Sequence, residues 1–93
     1  MNIVYTAHLE FRLKVRKIQA SLPKKVLKDA KEHYYDNSTG HYVAVHKLEF
    51  NNKIREVAVT YDKKKDVIEI ITIHPLKPYQ RIARINSGRW LKV

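Results

Sequence analysis

Between residues 41 and 74 the chain carries three alternating, β-branched segments joined by turns of hairpin length. They read HYVAVHKLEF (41–50), IREVAVTYD (54–62) and VIEIITIH (67–74). Asn51-Asn52 separates the first two, and the polar run Lys63-Lys64-Lys65-Asp66 separates the second two. Such runs between turn residues read as strands, and loops this short force consecutive strands to pair antiparallel. Because side chains alternate across a strand, Val57, Val59 and Tyr61 are expected on one face and Ala58 and Thr60 on the other. Ile68, Ile70, Thr72 and His74 are expected to share a face, opposite Val67, Glu69, Ile71 and Ile73. His74 then ends a sheet face, where the strand is rigid and the next loop is open. Pro75 fixes the corner after it.

Ahead of the strands the pattern is helical. Residues 2–6 (NIVYT) read as a short strand or extended entry. Residues 7–19 hold good helix formers and no glycine or proline, which predicts a helix. The alternation of Phe11, Leu13 and Val15 equally suits a strand. Ser21 is a candidate N-cap with Pro23 just inside, and Val26, Leu27, Ala30, His33 and Tyr34 recur at helical spacing. The cluster Asp36–Gly40 ends that helix. After Pro75, residues 76–87 suit a short helix, and Trp90 a last strand or a core lid. The expected fold is therefore α+β: two N-terminal helices packed on one face of an antiparallel β-meander, with a short basic C-terminal segment. Ninety-three residues support a single domain, 1–93.

Composition excludes several functions. There is no cysteine, hence no disulfide framework, thiolate zinc site or cysteine nucleophile. The nine acidic residues form no paired metal motif, and no two of the five histidines stand at i,i+4 on one predicted helix. No metal or other cofactor is expected. The only glycines are Gly40 and Gly88, so a glycine-rich phosphate loop is excluded. The N-terminal stretch lacks a basic n-region, and its apolar run breaks at Thr6 and His8, so no signal peptide is expected. No window approaches the ~18 apolar residues of a membrane span. A cytoplasmic protein without a membrane partner is the expectation.

The net charge of +10 points to a polyanionic partner: RNA, DNA, a ribosome or an acidic protein. The cations are unevenly placed. Lys77, Arg81, Arg84, Arg89 and Lys92 follow His74 with no Asp or Glu among them. Histidine, arginine and tyrosine together suit metal-free RNA cleavage. Histidine titrates near neutrality and serves as acid or base, arginine grips phosphate oxygens in pairs, and tyrosine stacks on a base or relays a proton. The candidate catalytic residues are His74, His8 and Tyr79. The candidate RNA phosphate ligands are Arg12, Lys77, Arg81, Arg84 and Arg89. His8 and Arg12 stand at i,i+4 and share a helix face, and Arg81 and Arg84 at i,i+3 do the same. The plain alternative for each pair is a solvated polar face.

The stretch VAVTYDKKKDVIEIITIHPLKPY (57–79) resembles the RelE- and BrnT-type toxin nucleases. In RelE-like toxins a hairpin leads into a His-Arg-x-x-x-Tyr stretch. Here His74 and Tyr79 keep that separation, while Pro75 stands in the arginine position. BrnT-like toxins end the same strand with I-I-S-A-R, which is similar to Ile70–His74. The N-terminal His8…Arg12 also looks like a small uncharacterised family thought related to that superfold. The resemblance implies a metal-independent endoribonuclease fold, with ribosome-dependent cleavage of mRNA and an acidic antitoxin partner. A non-catalytic RNA- or ribosome-binding domain and a module for an acidic protein are the alternatives.

Overall fold

The computed structural model describes residues 2–93. Its elements are β1 (Asn2–Tyr5), α1 (Ala7–Val15), α2 (Leu22–Asp29), β2 (Glu32–Asp36), β3 (Tyr42–Phe50), β4 (Lys53–Lys64), β5 (Val67–Pro75), α3 (Gln80–Asn86) and β6 (Trp90–Lys92). Asn51 and Asn52 both take positive φ, 53° and 65°, which makes the two-residue loop between β3 and β4 a type I′ hairpin. The sheet built on these hairpins is not the expected meander. It has six strands in the order β1-β5-β4-β3-β2-β6. β1 lies at one edge, parallel to β5, and β6 lies at the other edge, antiparallel to β2.

Two further expectations fail in the first half of the chain. Helix α1 stops at Val15 rather than continuing to residue 19. Lys17 turns left-handed (φ 55°), its N–H reaches the Lys14 carbonyl, and the Ile18 N–H reaches the Leu13 carbonyl at 2.9 Å. These two bonds form a Schellman stop, which usually carries glycine at its left-handed residue. Helix α2 ends at Asp29, because Ala30 is already extended (ψ 129°). The expected continuation through His33 and Tyr34 is strand β2, which lies between β3 and the edge strand β6. Two adjacent tyrosines suit a pleated surface at least as well as a helix. Tyr34 is buried there and stacks on Trp90, ring centroids 5.4 Å apart.

The helices cover both faces of the sheet. On one face Leu9 and Leu13 of α1 and Val26 and Leu27 of α2 pack with Val57, Val59, Tyr61, Ile70 and Ile73. On the other face Tyr34, Val43, Val45, Ala58, Leu76 and Trp90 form a second cluster, capped by Ile85 of α3. A bulge decides the faces of β5. Thr60 pairs with Thr72, and Tyr61 with Ile70, so Ile71 is an extra residue. The side-chain alternation reverses there. Ile73, not Thr72 or His74, joins Ile68 and Ile70 on the α1–α2 face. His74 pairs with Ala58 and so belongs to the α3 face.

Among the described residues, no helix is long and apolar enough to cross a membrane.

Candidate functional site

Helix α1 is pinned at its start by Thr6, whose hydroxyl accepts from the Leu9 N–H at 3.1 Å. Leu9 and Leu13, one turn apart, bury against the sheet. That fixes the rotation of the helix and turns His8, Arg12 and Arg16, each one turn further along, to the rim of the same seam. Opposite them is the part of β5 that β1 leaves uncovered. β1 pairs only with Val67–Ile70, and the edge of Ile71–Pro75 stays open.

Between these two walls lies a cleft of about 290 Å³. His8, Arg12, Arg16 and Ile18 line it on the α1 side and Ile71, Thr72, Ile73 and His74 on the β5 side, with Leu9 and Leu13 at the floor. No carboxylate is among the lining residues. Elsewhere, Glu32, Asp36, Glu56, Asp62 and Glu69 are each engaged in an ion pair, counting His41 as the partner of Asp62. Among the described residues, neither Arg12 nor Arg16 has an ion-pair partner.

His74 is half-buried and has its affinity for protons lowered. Desolvation contributes most, followed by the positive fields of Arg84 and Arg16. Burial and these charges thus favour its neutral imidazole, which can accept a proton. Arg84 acts on His74 from α3, on the face to which His74 belongs, while Arg12 and Arg16 come from α1. An anion in the cleft would meet Arg12 and Arg16 on the α1 side, and its charge would in turn favour protonation of a nearby histidine.

His8, Arg12 and His74 all line the cleft, His74 from the open end of β5 with its side chain on the α3 face, where Arg84 acts on it. It takes others elsewhere. Arg81 is committed to structure: its Nε donates to Glu56 at 2.6 Å and its Nη1 lies 3.5 Å from Glu32. Arg89 grips the buried Asp36 through two bonds of 2.9 and 3.1 Å. Lys77 lines a different groove, beside the β3–β4 hairpin. Tyr79 is 80% exposed at the start of α3, outside the residues lining the cleft. Arg16, which the sequence reading did not single out, lines the cleft. Its signal was present as the third member of a stripe, His8, Arg12, Arg16, repeating every four residues.

Among the described residues no group of three or more His, Asp or Glu side chains is placed to hold a metal ion. The chain matches no protein-family model, no curated protein and no solved structure.

Proposed function

We propose that this protein is a metal-independent endoribonuclease of the RelE/BrnT kind, acting on single-stranded RNA held in the α1–β5 cleft. The observation that carries the reading is the composition of that cleft: two histidines and two arginines around an apolar floor, with no carboxylate lining it. A site with this charge repels metal cations and attracts phosphate.

In this reading Arg12 and Arg16 hold the non-bridging oxygens of one phosphodiester. His74, kept neutral by burial and by Arg84 and Arg16, takes the proton of the adjacent 2′-hydroxyl. The 2′-oxygen attacks phosphorus, and the bond from phosphorus to the 5′-oxygen breaks. His8 gives its proton to that leaving oxygen. The products are a 2′,3′-cyclic phosphate and a free 5′-hydroxyl. Arginines aimed at the phosphate stabilise the extra charge of the transition state. Pro75 replaces the arginine of the RelE-like pattern, and Arg84, arriving from α3, supplies a cation on that side of His74. An acidic protein that covers the cleft would act as its inhibitor, as the resemblance implies.

The test is cleavage of an RNA oligonucleotide in EDTA, with free RNA and with translating ribosomes. Wild type should release cyclic-phosphate ends. His74→Ala and Arg12→Gln should each lose at least about 100-fold in rate, the usual scale for an acid–base group or a transition-state donor. A 2′-deoxy substitution at the scissile residue should stop the reaction. Salt-sensitive RNA binding without any cleavage would leave a binding domain only. Binding indifferent to salt would remove RNA altogether, since phosphate neutralisation releases counterions.

A further inference from the structure

We propose that the RNA strand leaving the cleft continues across a second basic surface, formed by Lys47, Lys53, Arg55 and Lys77. The proposal rests on the reading of the cleft as an RNA site and extends it to the length of strand the protein takes. The β3–β4 hairpin reaches past the end of the sheet. Residues 53–56 of β4 lie beyond Val57, the last β4 residue paired to β5, whose partner is Pro75. The chain after Pro75 runs alongside this overhang and is tied to it by the Leu76 N–H, which donates to the Glu56 carbonyl at 2.8 Å. Between the overhang and the 76–78 loop is a groove of about 450 Å³ lined by all four cations.

The one carboxylate lining the groove is already neutralised, because Glu56 accepts from Arg81. None of the four cations has an ion-pair partner among the described residues. Glu49, opposite Ile54 on the hairpin, leaves the surface net positive. The groove shares no lining residue with the cleft, and the chain between them is short. Lys77 follows His74 by three residues, at most about 11 Å of extended chain. Two flat or apolar groups stand free beside the cations: Ile54 is 66% exposed and Tyr79 is 80% exposed. Tyr79 occupies the third position of a turn over Lys77–Gln80 with φ 65°, where glycine is usual, directly after Pro78. That turn stands the ring out into solvent two residues after Lys77. A backbone-tracking row of cations with an exposed aromatic ring is the pattern that takes single-stranded nucleic acid, by phosphate contact and base stacking.

The experiment measures affinity for 2′-O-methyl RNA, which cannot be cleaved, at two lengths: about three nucleotides, enough for the cleft, and about ten. Wild type should bind the longer strand at least about tenfold more tightly. The combined variant Lys53→Gln, Arg55→Gln, Lys77→Gln should lose most of that gain, bind the short strand as wild type does, and melt at the wild-type temperature. Its salt slope on the long strand should be shallower by about two, since each lost phosphate contact removes about 0.7. An equal gain with length in variant and wild type overturns the proposal and leaves the cleft reading intact. Absence of short-strand binding by wild type, beside loss on Arg12→Gln of nothing measurable, overturns both.

Discussion

Arg89 offers the sharpest contrast between a residue read as a phosphate ligand and one committed to the fold. Its guanidinium spans both oxygens of Asp36, a carboxylate only 4% exposed, which also accepts from the Ser38 N–H and the Trp90 Nε1–H. Arg89→Gln removes two charge-assisted bonds and leaves a buried charge with its remaining two donors. Removing one partner of a fully buried pair costs about 3–5 kcal/mol. The Arg89 side chain is about a third exposed (32%) and Asp36 keeps its other bonds, which brings the expected loss to about 2 kcal/mol. For a chain of this size that lowers the melting temperature by roughly 8–16 °C.

Urea unfolding at pH 7, followed by the fluorescence of the only tryptophan, Trp90, measures it. Acid should erase the difference. Burial pushes the Asp36 carboxyl up, but the bonds from Arg89, Ser38 and Trp90 outweigh that and hold it below the ordinary value of 3.8. A depressed carboxyl stabilises the fold above its unfolded value and ceases to do so as pH falls through its folded one. The gap between wild type and variant should therefore be full at pH 7 and narrow below about pH 4. Affinity for RNA, measured on folded protein, should change little. A variant of unchanged stability that binds RNA several-fold more weakly would show that Arg89 serves phosphate and that its pairing with Asp36 is an ordinary surface contact.

Arg84→Gln removes one of the two positive fields on His74, so the base should protonate at higher pH and the acid limb of the kcat/KM profile should shift upward. A limb that stays in place would detach Arg84 from the site. Because His74 is harder to protonate in the folded chain than in the unfolded one, it should also make the fold less stable as pH drops below about 6.5, an effect smaller in His74→Gln, where His33, likewise lowered by burial, still contributes. Leu13→Ala, at the buried seam beneath the cleft, should cost about 2–4 kcal/mol in denaturant titration, and a loss under 1 kcal/mol would mean that α1 is not packed as described. Lys17→Gly, at the left-handed stop of α1, should stabilise by about 0.5–1 kcal/mol, read as a higher melting temperature; a decrease would contradict the Schellman geometry.

The strand–hairpin series and the pairing of His8 with Arg12 were legible because both are local. Period-two alternation and two-residue turns act over a few residues, and an i,i+4 face depends only on the helix being there. The end of α1 was hidden because a lysine fills the position that glycine normally marks. Residues 32–36 were misread because Tyr34 satisfies both periods, and only β3 and β6 on either side of it select the strand. Nothing in β1 itself says that it will lie parallel to a strand more than sixty residues away.

The site shows the same division. The sequence by itself determined a basic, cysteine-free chain, the three central strands, and a histidine at the end of the last of them. The tertiary structure decided which cations stand beside that histidine. Arg81 and Arg89 lie in the same basic tail as Arg84, yet buried or half-buried carboxylates of the sheet hold the first two, and Arg84 is left to act on His74. One extra residue, Ile71, sets the face His74 takes, and the shortness of β1 leaves the edge beside it open. Pairing between distant segments chooses these outcomes, because each depends on where a partner group lies in space and not on its neighbours in the chain.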